Sequence, residues 1–486
     1  MWKEIISLCM QIMMKELMTL IRRTIAQLTD MSGAIYKGEL KELIVEGIKR
    51  DSRSTEGELF IPLTGDRFDG HQFIHQAIEN GAKAALWKKG VPVPDDLEHF
   101  PFLFVRDPLA AMQKLAMSYR GELFTRVVAI TGSNGKTTTK DMTAALLSTT
   151  YNVRKTEGNL NNHIGLPHTI LALDEDTDVA VVELGMSGFG EIELLSKIAQ
   201  PDVAIITNIG DAHMQQLGSR RGIAQAKLEI IHGLGEEGIF IYNGDEPLLE
   251  EEMAKLFMPS TIEKKTFGLG EANEWSADHI VLDPVKSTFE VQYMGKSCSV
   301  GQQQIMIPGR HNVSNALAAI AVARLFGVPA EQISEGFQSM QLTGMRIAPS
   351  TAFNGATLLN DAYNANPTAT RAAIELVGSL TGFRKKWLVL ADMLELGPDE
   401  EKLHREMGEY ADASKVDAVI ACGELGKYIV EGARAHFNEE EQLQHFNTKE
   451  ELIAWLLPRV KPEDLVLVKG SRGMKMEQVV EALEKG

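Results

Sequence analysis

A β-branched run, Val127-Val-Ala-Ile-Thr131, opens directly into Gly132-Ser133-Asn134-Gly135-Lys136-Thr137-Thr138, and a helical pattern follows to Leu147. Strand, glycine-rich loop and helix, in that order, are what a phosphate cradle needs. The glycines let backbone N–H groups face an anion, and the helix N-terminus adds its positive end. Lys136 neutralises β/γ-phosphate charge, and the Thr137 hydroxyl can ligate Mg²⁺. The longer G-x-x-x-x-G-K-[ST] pattern would want glycine at position 130, where Ile130 stands inside the strand. A second glycine pattern, Gly233-Leu-Gly235-Glu-Glu-Gly238, lies after a helix and before a strand, and its two glutamates would repel a pyrophosphate, so it reads as a plain connection.

Around the loop the chain must supply more layers of the same kind. Long apolar runs at 127–131, 179–184, 203–209 and 238–242 read as strands buried on both faces, hence a mostly parallel sheet. Before them, residues 57–63 read as a strand and 108–119 as a helix of a smaller mixed unit. Between 275 and 307 the helical signal fades into short strand-like pieces such as 287–293, followed by an Ala-rich helix over 312–326. A third alternation has strands at 357–360, 387–391, 418–421 and 465–468, with helices at 367–380 and 475–484 between or after them. At 486 residues and 44% apolar composition, one core of ordinary size is exceeded. The expected architecture is α/β in three domains. Residues 1–125 form a small mixed α/β substrate-binding domain, 126–342 a central parallel-sheet P-loop ATPase domain, and 343–486 a C-terminal Rossmann-like doubly wound domain.

Acidic residues outnumber basic ones by 67 to 49, a formal charge of -18, which repels nucleic acid and anionic membrane surfaces. Cys9, Cys298 and Cys422 are far apart and form no C-x-x-C pair, which fits a reducing cytoplasm. The apolar start at residues 5–14 is broken by Lys15 and Glu16. It is expected to be an amphipathic helix or the product of an upstream start codon, with Met18 as an alternative start, and not a signal peptide or membrane span.

Ligands of an open parallel sheet bind outside the carboxyl ends of its strands. Glu183 ends the run 179–183, where a lone carboxylate is costly to bury unpaired. His213 follows the strand over 203–209, and with Glu183 and Thr137 it can complete sites for two Mg²⁺ ions. Lys227 lies in a helical run with apolar neighbours, and its spacing alone makes it a surface lysine.

Taken together, these segments resemble the Mur ligase family from about residue 51 to the end. The matching stretches are Asp51-Ser52-Arg53 with Gly57-Glu-Leu-Phe60, the loop of 131–138, Glu157-Gly-Asn-Leu-Asn-Asn162-His-Ile-Gly165, Glu183-Leu-Gly-Met186, Thr207-Asn-Ile-Gly-Asp-Ala-His213, Gly309-Arg-His-Asn312, Asn315-Ala316 and Asp361-Ala-Tyr363-Asn-Ala-Asn366-Pro367. The resemblance implies the shorter G-x-x-G-K-[ST] loop, an ATP-dependent amide ligase and two Mg²⁺ ions. It implies Ser52 and Arg53 at a uridine nucleotide, Asn162, Tyr363 and Asn366 at substrate, Asn315 at adenine, Arg346 at the ATP phosphates and Asp361 at ribose. Lys227 matches a lysine that the family carbamylates to make a further metal ligand, which replaces the surface reading. The stretch 361–367, and the absence of an Asn-Pro-Arg signature, point to UDP-N-acetylmuramoyl-tripeptide and D-alanyl-D-alanine as the molecules joined. The expected enzyme is a cytoplasmic monomer without stable membrane association, whose C-terminal domain closes over the central one. The rivals are a related ligase adding a single amino acid and a nucleotide-regulated binding module.

Overall fold

The computed structural model describes residues 21–39, 42–65, 68–344 and 348–486. The N-terminal segment at 5–14, Met18 and Arg346 lie outside the described residues.

The phosphate-loop strand Arg126–Thr131 is the centre from which the rest is laid out. It pairs in parallel with Val179–Glu183 on one side and Val203–Ile206 on the other. Val153–Lys155, Ile239–Asn243 and Glu263–Phe267 extend the parallel run. Val, Ile and Ala fill these strands because helices cover both faces, and two separate apolar clusters lie on the two sides of the sheet. Beyond Glu263–Phe267 the sheet turns antiparallel through Trp275–Leu282, Ser287–Tyr293 and Lys296–Ile305, giving nine strands in all. The Ala-rich helix Arg310–Leu325 buries its small side chains against the loop helix Lys136–Leu147.

The five-stranded N-terminal sheet runs Ile35–Tyr36, Phe102–Val105, Ala84–Lys88, Leu59–Phe60, Ile48–Lys49, the last four parallel. The strand expected over 57–63 shrinks to Leu59–Phe60; beyond the Ile61 N–H, which donates to the Lys49 carbonyl at 2.8 Å, Pro62 has no N–H to continue the ladder. Helix Pro108–Glu122 joins this unit to the central one. Its Tyr119 hydroxyl donates to the Leu173 carbonyl at 2.8 Å and its Arg120 Nε to the Ala199 carbonyl at 3.0 Å. The two units thus share a continuous core.

The C-terminal sheet runs Ala348–Thr351, Thr357–Asp361, Leu465–Lys469, Lys386–Ala391, Ala418–Cys422, Leu443–Phe446. Only the first pair is antiparallel, and apolar clusters again flank both faces. These three α/β units are the expected fold class.

One buried charge network ties the loop helix to the chain leaving the central domain. Asp141, fully buried, faces Lys155 Nζ at 2.7 Å and Lys140 Nζ at 3.4 Å. It also accepts from the backbone N–H of Thr343 at 2.7 Å and its hydroxyl at 3.0 Å. Removing one partner of such a network strands the others. Asp141→Ala is expected to destabilise the protein by about 3–5 kcal/mol, read as a lowered urea midpoint; a change under about 1 kcal/mol would mean the network contributes as little as a surface pair.

Candidate functional site

Parallel strands carry their C-terminal loops to one edge, and here that edge faces the C-terminal domain across a cavity of about 440 Å³. The loop of residues 132–138 forms its floor. Two glycines in it have no room for a side chain. Gly132 has φ +149°, and a Cβ there would overlap Thr207 Oγ1. Gly135 has φ +80°, and its Cβ would meet Asn315 Oδ1 at 2.5 Å. The same contact places Asn315 against the phosphate loop. Lys136 begins the helix and donates from Nζ to the carbonyl of Gly132 at 2.9 Å.

Glu183 ends its strand 2% exposed, and its two oxygens accept from Thr137 Oγ1 at 2.6 Å and Asn161 Nδ2 at 2.8 Å. Sequence reasoning chose Asn162 from this stretch. Asn162 lines the cavity, but its Oδ1 accepts from the backbone N–H groups of Ile164 and Gly165, shaping the loop, and it is the adjacent Asn161 that reaches the carboxylate. The signal for Asn161 was the same Asn-Asn pair; which of the two points inward is set by the turn.

His213 lines the cavity in a left-handed conformation, φ 62°. Its Nδ1 lies 3.0 Å from Glu395 Oε2 of the C-terminal domain. Desolvation pushes the His213 imidazole below its usual range, opposed by Glu395. Lys227 corrects the spacing-based reading: in helix Arg220–Leu228 it is 2% exposed, buried rather than at the surface. Helix spacing put it among apolar neighbours, and the helix packs with that side inward. Burial first, and Lys136 second, push its amine well below its ordinary value.

The opposite wall comes from the C-terminal domain. Asp361 and Tyr363 line it, together with Lys469, which sequence reasoning missed. Lys469 ends the apolar strand Leu465–Lys469 and pairs with Asp361 Oδ2 at 2.5 Å. A lone cation closing a buried run was its only signal. His311 lines the cavity too, and desolvation pushes it down to about 4, with Asp361 opposing and Lys469 reinforcing. Asn366 is 3% exposed and caps helix Pro367–Ser379 through Oδ1 to the Ala369 N–H at 2.9 Å. Ser133, Asn134 and Thr138 also line the cavity; Gly132, packed against Thr207, and Thr137, buried against Glu183, are not in its lining. Ser52 and Arg53 are not part of this lining. The Ser52 hydroxyl donates to Gln76 Oε1 at 2.7 Å, and exposed Arg53 pairs with Asp51.

Three family models match the chain: the Mur ligase family catalytic domain over residues 45–118, the Mur ligase middle domain over 130–323 and the Mur ligase glutamate ligase domain over 345–472. A UDP-N-acetylmuramoyl-tripeptide–D-alanyl-D-alanine ligase of Bacillus subtilis is 45% identical, covering 96% of this chain and 99% of its own length. The Escherichia coli ligase of the same name is 36% identical, with the same shares covered. Among solved structures, MurF from Acinetobacter baumannii superposes with TM-score 0.85 at 32% identity, covering 96% of this chain and all of that one. A MurF ligase from Thermotoga maritima in complex with ADP superposes with TM-score 0.78 at 29% identity over 92% of this chain and 98% of that one. With its three domains matched in order and relatives aligned along nearly its whole length, the chain belongs to the Mur ligase family.

Proposed function

We propose that this chain joins D-alanyl-D-alanine to UDP-N-acetylmuramoyl-tripeptide with the hydrolysis of ATP to ADP and phosphate. The observation that carries the reading is the facing of a phosphate loop by a second domain's polar wall across one cavity, in a chain whose relatives bear that activity in their names.

A carboxylate is a poor acyl donor at neutral pH, so its oxygen must first become a leaving group. The tripeptide's terminal carboxylate attacks the γ-phosphate of ATP, forming an acyl phosphate and ADP. Lys136 neutralises charge on the transferring group, and the backbone N–H groups of residues 132–138 hold the flanking phosphates. The dipeptide amine then attacks the acyl carbonyl, loses its proton, and phosphate leaves. Asn315 and Asp361 are assigned to the nucleoside. Tyr363 and Asn162, on facing walls, are assigned to the peptide ends. Ser52 and Arg53 are assigned to the uridine nucleotide, so the donor would reach from the N-terminal domain into the cavity.

No group of three or more His, Cys, Asp or Glu side chains suited to a metal occurs among the described residues. The Thr137 hydroxyl beside the Glu183 carboxylate is nevertheless a donor set that suits Mg²⁺, which binds through one or two carboxylates plus substrate phosphates. Bound there, Mg²⁺ supplies positive charge to the phosphoryl oxygens. His213, and Lys227 as its carbamate, are assigned to a second ion. Among the described residues no helix is long and apolar enough to cross a membrane, and the reading places a monomeric enzyme in the cytoplasm.

The test is phosphate release by purified protein with Mg²⁺ and ATP, offering the tripeptide nucleotide with the dipeptide or with single amino acids. Release is expected only with the dipeptide. Release with a single amino acid alone would keep the family and overturn the substrate.

A further inference from the structure

Docking of the C-terminal domain reaches into the phosphate loop itself. The backbone of Asn134 is held from within the central domain: its N–H donates to Asn208 Oδ1 at 2.9 Å, and its carbonyl accepts from Thr207 Oγ1 at 2.5 Å. Its side chain looks the other way. Asn134 Oδ1 accepts from Asn366 Nδ2 at 2.8 Å, and Asn134 Nδ2 donates to Asn366 Oδ1 at 3.3 Å. The helix cap made by Asn366 Oδ1 fixes which way that amide points. Next to it, Thr368 Oγ1 donates to Asp211 Oδ2 at 2.6 Å, and Glu395 meets His213 and the Gln215 N–H. Those contacts hold the domains together at residues 211–215, whereas the amide pair reaches the phosphate loop.

We propose that Asn366 is a positioning residue for phosphoryl transfer, fixing the phosphate loop through Asn134 when the C-terminal domain is docked. Asn134 stands two residues before Lys136, so a freed loop lets the lysine and the backbone donors drift. An ångström of drift at a reacting centre costs about a hundredfold in rate. The amide pair bridges the two domains and exists only while they are docked, so the loop is held when the water-excluding wall is in place and released when it is not. Phosphoryl transfer is thereby tied to closure, which protects an acyl phosphate from water.

The test is a double-mutant cycle on the full chain with Asn134→Ala, Asn366→Ser and both together. Serine keeps the helix cap but is too short to reach Asn134. Each single change is expected to lower kcat by about ten- to a hundredfold, with KM for the nucleotide-peptide donor within about twofold and Tm unchanged. The double variant is expected to be no slower than the slower single, because both remove one contact. Multiplying losses, or Asn366→Ser at the wild-type rate, would overturn the proposal. Should Asn366→Ser melt early, Asn134→Ala decides alone, since it leaves the cap intact: wild-type kcat refutes. The inference rests on the reaction proposed above, and wild-type phosphate release in the same assay separates failure of that reading from failure of this one.

Discussion

Replacing Lys136 by alanine is expected to reduce kcat/KM for phosphate release by about a hundred- to a thousandfold, leaving Tm within a few degrees of the parent. The transferring phosphoryl group develops charge on oxygens inside a walled cavity, where one placed cation contributes about 3–4 kcal/mol, or two to three powers of ten in rate. Lys136 stands at the first turn of helix Lys136–Leu147, where the backbone donors and the helix's positive end act on the same phosphates. Alanine keeps the helix and removes no apolar core contact, since the ammonium reaches back to the loop carbonyls of Gly132 and Ser133 at 2.9 and 3.4 Å. Phosphate release under saturating acceptor and ATP, with the donor varied, measures the effect. A variant retaining a tenth of wild-type kcat/KM would show that backbone donors and metal carry the charge without it.

The part of the site held by local order is legible in the amino-acid sequence. The strand–loop–helix unit around Gly132 to Thr138 is contiguous, so its residues announce the cradle, and the parallel sheet follows from runs too apolar to face water. Glu183 and His213 are legible for a related reason, each being the polar residue that ends or follows a buried strand. The antiparallel extension is harder. Lys296–Ile305 alternates exposed and buried positions with Gln302 and Gln304 exposed and Gln303 buried, a pattern too polar to stand out beside the β-branched runs. Contacts between distant segments leave no local trace at all. Lys469 meets Asp361 across 108 positions within the C-terminal sheet, and Asn366 meets Asn134 across 232 between domains, and neither pairing can be read before the chain has folded. Asn366 is instructive: its sequence context implies substrate, and the structure shows a helix cap and a partner in the phosphate loop.

Lys227 is the residue for which spacing and family resemblance give opposite answers, and its replacement separates them. Lys227→Met is expected to lower phosphate release by about a hundredfold or more, with Tm unchanged or raised. The side chain is 2% exposed, so a lysine there must be desolvated, and methionine fills nearly the same volume without that cost. A lysine kept only for packing would therefore lose nothing on this exchange. Burial and the nearby charge of Lys136 hold the amine below its ordinary range, which favours the neutral form that attacks CO₂. A carbamate on Lys227 would add a carboxylate at this position, and methionine cannot form one. Stripping CO₂ and bicarbonate from the assay is expected to slow the wild-type enzyme and to leave Lys227→Met where it was, with bicarbonate restoring only the former. A methionine variant as active as the parent would remove Lys227 from the metal site and return it to the apolar face of its helix.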